Sequence, residues 1–337
     1  MPIDVVEKIC AMARKCPRRI VLPEGEESRT IKAAAKMTKD ALVKSAILLG
    51  DEGRIKANAL KEKVDLSGVE LVDPVKDPRR KQFAERYFEL RKHKGITQED
   101  AEKLISDPLY FGTMMLDADM VDGFLSGATH ATGDTIRPAL QIIKPAPGGG
   151  SISSFFIMLV PNCAYGEEGV MFMADCAIVP DPSPLKLANI AVATAKTARA
   201  LLGIEPRVAM LSFSTKGSAE HELVDRVREA TRLAKEKDPA LLIDGEMQAD
   251  AALVPEIGKR KAPESKVAGQ ANVLIFPDLQ SANIGYKLVE RLAKATAIGP
   301  VLQGFKKPVN DLSRGCSAED IVMMGAVTSL QADPSLR

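Results

Sequence analysis

The sequence predicts an α/β protein of two α/β/α domains with mostly parallel sheets, and three observations predict it. Short apolar runs ending in Gly or Pro alternate with helical stretches, at the spacing of strand–helix–strand units. The 337 residues exceed what one ordinary core accommodates. One strong composition break, Pro145-Ala-Pro-Gly-Gly-Gly150, interrupts the chain. The expected division is residues 1–147 plus 304–337 for a first domain and residues 148–303 for a second. A cleft between two such domains is the expected place for a ligand.

The elements follow in order. The N-terminal residues MPIDVVEKICAMARKC mix charges into an apolar pattern, which reads as a short amphipathic helix and lacks the apolar centre of a signal peptide. Residues 19–23 form a buried strand that runs into Gly25, followed by a helix over 30–37 and a second strand over 45–50. Residues 69–73 repeat the strand pattern, and residues 76–94 are charged and helical. Thr97-Gln-Glu-Asp100 opens a helix with an acidic first turn. Residues 119–127 are strand-like, 127–133 a small-residue turn, and 134–143 a helix with Arg137 in its first turn. Beyond the break come close-set strands at 154–161, 169–175 and 176–179. An Ala-rich helix over 184–203, a strand at 207–212 and an amphipathic helix over 221–237 follow. Buried strands at 241–245 and 273–277 complete the second domain. The chain then crosses back near residues 300–304, and its last helices rejoin the first domain. No internal repeat is visible.

Composition excludes several classes of function. Lys and Arg total 46 against 45 Asp and Glu, so there is no electrostatic footprint for nucleic acid and no polybasic membrane patch. The chain has no Trp and only 4% aromatic residues, which argues against stacking platforms for bases. Cys10, Cys16, Cys163, Cys176 and Cys316 are dispersed without a C-x-x-C pair, and the three His are far apart. A metal site or disulfide framework is therefore not expected, and a reducing, cytoplasmic setting is. No apolar run approaches the length needed to span a membrane. Gly148-Gly-Gly150 lacks the Lys-Ser/Thr of a phosphate-binding loop and reads as a hinge. Met323 and Met324 read as core or subunit interface.

The chemistry concentrates in residues 299–322. This stretch reads as a polar loop, punctuated by Gly299, Pro300, Gly304, Pro308 and Gly315, that feeds a helix. Ser317-x-x-Asp320 before Ile-Val-Met-Met is a capping box, so Ser313 and Arg314 stand just ahead of a helix N-terminus. Backbone N–H groups and the helix dipole favour an anion there, and an arginine adds a planar bidentate partner. Thr132-Gly-Asp-Thr-Ile-Arg137 is a second loop-to-helix anion site. Other readings compete. Ser313 can be a loop serine bonded to backbone, Arg314 half of a surface ion pair, and Asp320 only a cap. By pattern, Arg91 belongs to a solvated charged face and Cys163 is a small buried residue. No motif sets a His beside Ser313, so an acylated serine nucleophile is not expected.

The run KPVNDLSRG (307–315), with GPVLQG (299–304) before it, resembles the signature of the phosphate acetyltransferases, or phosphotransacetylases, of the phosphate acetyl/butyryl transferase family. Similar blocks are VLPEGEESRTIKAA (21–34), YFELRKHKG (87–95), GATHATGDTIRPALQIIK (127–144), DGEMQADAAL (244–253) and ANVLIFPDLQSANIGYK (271–287), so the resemblance covers nearly the whole chain. It implies an architecture like that of isocitrate and isopropylmalate dehydrogenases. It also implies reversible acetyl transfer between coenzyme A and phosphate, a homodimer, and no metal or cofactor. The partners implied are coenzyme A, acetyl-CoA, acetyl phosphate and inorganic phosphate. By the same resemblance Asp320 is the base that takes the thiol proton, Ser313 faces the oxyanion, and Arg314, Arg137 and Thr132 hold phosphate. Arg91 contacts coenzyme A or supports the site. Cys163, Asn283 and Lys287 stand near it without an assigned role. Complete proton transfer from a free thiol to an ordinary carboxylate is uphill by on the order of 6 kcal/mol, so transfer concerted with attack is one option.

Three rivals remain open at this point. A longer acyl chain such as butyryl differs by two methylenes, a discrimination of about 2 kcal/mol. A non-catalytic acetyl-CoA-sensing module is opposed by the presence of Ser313, Arg314 and Asp320 together. An oxidoreductase is opposed by the lack of an evident metal-binding Asp cluster.

Overall fold

The computed structural model describes residues 4–146 and 151–333. In chain order its elements are α1 (Val5–Lys15), β1 (Arg19–Leu22), α2 (Ser28–Lys39), β2 (Ser45–Leu49), α3 (Glu52–Lys61) and β3 (Glu70–Val72). There follow α4 (Arg80–Arg91), α5 (Gln98–Ile105), α6 (Pro108–Asp117), β4 (Gly123–Ser126), α7 (Thr132–Ile142), β5 (Ser153–Leu159) and β6 (Val170–Ala174). Then come α8 (Pro184–Leu202), β7 (Arg207–Leu211), α9 (Glu222–Lys237), β8 (Leu242–Met247), α10 (Ala249–Leu253), α11 (Pro255–Lys261) and β9 (Val273–Ile275). The chain closes with α12 (Leu279–Leu292), β10 (Thr296–Gln303), β11 (Val309–Asp311) and α13 (Ala318–Gln331). None of the described helices is long and apolar enough to cross a membrane.

Two compact units result: Val6–Ala146 with Phe305–Arg337, and Pro147–Gly304 with Met1–Val5. The expected crossing at 145–150 includes residues 147–150, which lie outside the described residues. The unit built on Val6–Ala146 holds a five-stranded sheet in the order β11-β4-β1-β2-β3, parallel throughout. Strands buried on both faces read as continuous apolar runs, and Ile20, Val21 and Leu22 are all buried. Helix α13 covers β1 and β4 and packs on α2, while α6 also packs on β1 and β4. Gly325 makes the α13–α2 contact close, because a Cβ there would stand 1.9 Å from Met37 Sδ. Met324 is buried in this core.

The other unit has a six-stranded sheet, β10-β5-β6-β9-β7-β8. Strands β10, β5 and β6 pair antiparallel, and the rest are parallel. Helices α8 and α9 pack together, and α12 lies against β5, β6 and β10.

Three expectations are corrected. Residues 176–179 are not a strand. They wrap the buried carboxylate of Asp175, which accepts hydrogen bonds from the amides of Ala177, Ile178 and Val179 and from Ser154. Residues 299–303, expected as loop, belong to strand β10, in which Pro300 sits at a register irregularity opposite β5, where proline does not break a ladder. The returning chain brings one strand and one helix rather than helices alone.

Candidate active site

The parallel sheet sets the site by its topology. From β1 the chain winds outward through β2 and β3, then returns to place β4 on the other side of β1. Ligands in such sheets bind beyond the carboxyl ends of the strands, where the winding reverses. Three segments meet at that edge: Glu24 after β1, residues 127–130 after β4, and residues 311–314 at the end of β11.

Glu24 is the hub. Its side chain is almost fully buried, yet it is surrounded by donors. Oε2 accepts from the amides of Gly127 (2.9 Å) and Ala128 (2.7 Å). Oε1 accepts from the amides of Thr129 (2.8 Å) and His130 (3.0 Å) and from the Thr129 hydroxyl (2.8 Å), and it lies 2.7 Å from His130 Nδ1. Burial pushes the Glu24 pKa up, but His130, Thr129 and Ala128 more than offset it and hold the carboxyl below its ordinary range. The loop that leads into α7 is therefore wound around one carboxylate.

Arg29, in the first turn of α2, ties this loop to the segment before α13. Its Nη2 donates to the Ala128 carbonyl (2.9 Å), and its Nη1 donates to the carbonyls of Arg314 (2.9 Å) and Cys316 (2.8 Å). Nε pairs with Glu27 at 2.6 Å. From below, Asn310 fixes β11 to α13 by donating to Thr328 Oγ1 (2.8 Å) and Gln331 Oε1 (2.6 Å). Burial pushes the Cys316 thiol up to about 11, which makes it inert at neutral pH.

Asp311 closes the arrangement. It ends β11 opposite Ser126 of β4 and is 1% exposed. The Thr132 hydroxyl donates to its Oδ2 at 2.6 Å. Its Oδ1 lies against Gly127, near the Thr135 hydroxyl and the Leu312 amide, but is in hydrogen-bonding geometry with no partner among the described residues. Gly127 is required here: its φ is +117°, and a Cβ would stand 2.3 Å from Asp311 Oδ1. Burial pushes the Asp311 pKa up to about 6 against the Thr132 bond, and the negative charge of Glu24 adds to the rise.

The sequence-predicted residues fall into three groups. Ser313, Arg314 and Asp320 are all exposed; Ser313 and Arg314 lie in the short connection from β11 into α13, and Asp320 lies in the first turn of α13. The capping box is present: Ser317 Oγ accepts from the Asp320 amide (3.1 Å), and Asp320 Oδ2 accepts from the Ser317 amide (2.8 Å). Asp320 is thus held by one carboxylate oxygen. The Ser313 hydroxyl accepts a long bond from the Gly315 amide (3.4 Å). The Arg314 guanidinium has no ion-pair partner among the described residues, so its charge is available to a ligand.

Thr132 and Arg137 lie on α7, which begins at Thr132. Arg137 is therefore in the second turn rather than the first, exposed, and paired with Asp134 at 3.1 Å. Arg91 ends α4 and is half-buried instead of solvated. It acts on the Tyr87 hydroxyl, whose pKa burial lifts to about 12, and both Arg91 and Arg137 act on Tyr110. Tyr87 and Tyr110 meet edge to face at 5.5 Å.

Cys163, Asn283 and Lys287 belong to the other unit. Cys163 is half-buried against an apolar cluster that includes Met171 and Ala282. Asn283 donates to the Cys176 carbonyl at 3.1 Å, and Lys287 is exposed. A cavity of about 310 Å³ also opens at the carboxyl ends of β1 and β2, lined among others by Glu24, Glu27, Leu49, Pro108 and His130.

Residues 4–329 match the sequence profile of the family described as phosphate acetyl/butaryl transferase. This chain belongs to that family. It is 54% identical over 330 residues to a phosphate acetyltransferase of Clostridium acetobutylicum, covering 98% of this chain and 99% of the relative. Identity to a phosphate acetyltransferase of Thermoanaerobacterium thermosaccharolyticum is 56%, covering 98% of this chain and all of the relative (100%). The crystal structure of a phosphotransacetylase from Streptococcus pyogenes superposes with a TM-score of 0.89 at 46% identity, covering 97% of this chain and 96% of that one. Membership makes the chain an acyltransferase of mostly parallel α/β architecture.

Glu24 and Asp311 were absent from the sequence-derived site. A weak signal existed for both, since each follows or ends an apolar run at the carboxyl edge of a parallel strand. Their partners are backbone amides and a hydroxyl far away in the chain, which no local pattern announces.

Proposed function

We propose that the protein interconverts acetyl-CoA and phosphate with coenzyme A and acetyl phosphate by direct attack in a ternary complex. The thiol of coenzyme A gives its proton to Asp320, and its sulfur attacks the carbonyl carbon of acetyl phosphate. A C–S bond forms, and the carbonyl electrons move onto oxygen, where the Ser313 hydroxyl donates to the oxyanion. Collapse breaks the C–O bond to phosphate, which leaves with the bonding pair, is held by Arg314, Arg137 and Thr132, and takes up the proton from Asp320 through solvent, restoring the carboxylate. Arg91 supports the coenzyme side. No further cofactor is required.

The observation that carries this reading is the placement of Ser313 and Arg314 on the connection into α13 with Asp320 in the first turn of that helix, so that an unpaired guanidinium stands next to a helix start. Asp320 also keeps one carboxylate oxygen outside its cap bond. The same reading sets the enzyme in the cytoplasm, supported by five cysteines without a disulfide. It also includes a homodimer, supported by Ile284, Leu288 and Leu292, exposed on successive turns of α12.

The test is thioester formation from coenzyme A with acetyl, propionyl or butyryl phosphate, followed by ultraviolet absorbance. Turnover fastest with acetyl phosphate is expected. Faster turnover with butyryl phosphate would move the assignment to the longer chain, and no turnover with any acyl phosphate would overturn it.

A further inference from the structure

We propose that Asp311 is a positioning residue that takes up a proton when phosphate binds, and that this proton turns the Thr132 hydroxyl towards the phosphate as a donor. The inference rests on the reading that Thr132 and Arg137 hold phosphate, and it assigns the control of that contact to a residue that does not itself touch the ligand.

The argument begins with one hydrogen. The Thr132 hydroxyl has a single O–H and donates it to Asp311 Oδ2 at 2.6 Å. While Asp311 is ionised, Thr132 presents only lone pairs outward and repels a phosphate oxygen. When Asp311 carries a proton, its O–H donates to Thr132 Oγ, and the Thr132 hydrogen is free for the ligand. The proton comes from solvent and forms an O–H bond on the Asp311 carboxylate; no bond between heavy atoms changes.

The surroundings of Asp311 favour this exchange. The residue is 1% exposed, and Oδ1 makes no well-formed hydrogen bond among the described residues; the Thr135 hydroxyl and the Leu312 amide approach the carboxylate and support its charge only in part. The groups packed on it are Gly127, Thr132, Thr135 and Leu312, all uncharged, and Glu24 beyond them, which is negative. None of the groups that act most strongly on it is a cation, and Arg137 is paired with Asp134 on the exposed side of α7. Burial accordingly raises its pKa to about 6, within reach of neutral pH. An incoming dianion raises it further by charge and by reversing the hydrogen bond. Helix α7 assists, since its N-cap Ala131 offers no side chain to its first amides.

At pH 7 only about one free molecule in ten carries this proton. The apparent affinity for a dianion is then reduced about tenfold from that of the protonated form. Above the free-state pKa it weakens about tenfold per pH unit. Sulfate is the probe, because it keeps both charges throughout this range. Binding to the full-length protein is measured by calorimetry from about pH 6.5 to 8, in two buffers of different ionisation enthalpy, so that proton uptake is read directly. The wild type is expected to take up nearly one proton and to show the tenfold slope. Asp311→Asn should bind sulfate with no uptake and a flat profile, and Thr132→Val should bind more weakly, with less uptake and a shallower slope than the wild type. A flat wild-type profile, or a slope retained in Asp311→Asn, overturns the proposal. If Asp311→Asn fails to fold, Thr132→Val decides: a slope clearly shallower than that of the wild type supports the proposal, and an undiminished slope overturns it. Turnover of acetyl phosphate without sulfate binding sinks this inference alone. Proton-linked sulfate binding without turnover sinks the acetyl-transfer reading and leaves this one standing.

Discussion

Glu24→Gln is the perturbation whose size follows most directly from the structure. The carboxylate accepts four backbone amides through two oxygens. A glutamine has one acceptor oxygen and one donating NH₂. If its oxygen keeps the place of Oε1, the NH₂ faces the amides of Gly127 and Ala128, and two buried donors lose their acceptor. Each such loss costs about 1–3 kcal/mol, so about 2–6 kcal/mol in all, against a total stability of about 5–15 kcal/mol for a domain. The reverse orientation is worse, because it opposes two amides, a hydroxyl and His130. Urea unfolding followed by circular dichroism measures the loss. Hydrogen exchange at residues 127–130 localises it, with protection expected to fall by a factor of about 30 or more. The pH dependence has a defined sign. The folded pKa of Glu24 is depressed, so its stabilisation is complete above the ordinary glutamate value and is lost as pH falls through the lower folded value. The gap between wild type and variant should therefore close in acid. A variant within about 1 kcal/mol of wild type, with exchange at residues 127–130 unchanged, would refute the assignment of Glu24 as the hub of this loop.

Three further outcomes are expected. Asp320→Asn should lose about 10²–10⁴-fold in turnover while retaining affinity for coenzyme A, and should cost well under 1 kcal/mol of stability because asparagine also caps; near-normal turnover rules out the base role. Arg314→Lys should raise the Michaelis constant for acetyl phosphate about tenfold, and an unchanged constant rules out a bidentate phosphate contact. Asp311 acts on stability in the opposite sense to Glu24: its raised pKa makes the folded state lose stability as pH rises through about 6. Between about pH 4.5 and 7 the wild type should lose about 2 kcal/mol relative to Asp311→Asn in urea unfolding, and a constant difference would contradict that burial effect.

Most strands and the long helices were legible because period and punctuation agreed. Helices α8 and α9 have strong apolar spacing, and α9 begins at Glu222 with His221 as its N-cap, within one residue of the expected start. Helix α6 is hard to read from sequence although Asp107-Pro108 is a clear start signal, because nearly every residue behind it is buried and leaves no polar face to reveal a period. Helix α3 is hard to read for the opposite reason, since only Ile55 and Ala59 are buried. Residues 176–179 looked like a strand because apolar content was visible and the carboxylate they enclose was not. In the site, the cap at Ser317 and Asp320 was legible as a local spacing. The anchoring of residues 127–130 by Glu24 and of Thr132 by Asp311 was not, because those contacts arise only when β1, β4 and β11 lie side by side.

That juxtaposition has a consequence for how the molecule is assembled. Strand β11 pairs with β4 from far along the chain, with Val309 opposite Phe124, and α13 is locked to it through Asn310. As the polypeptide is made, β1 to β4 can form their sheet early, but Ser313, Arg314 and Asp320 have no scaffold until the final strand docks. Until then β4 is an unprotected edge of buried residues, open to the wrong neighbour. Closing so distant a pairing is slow. Competence for chemistry should therefore be the last property the folding chain acquires, and a refolding experiment should recover helical signal well before it recovers turnover.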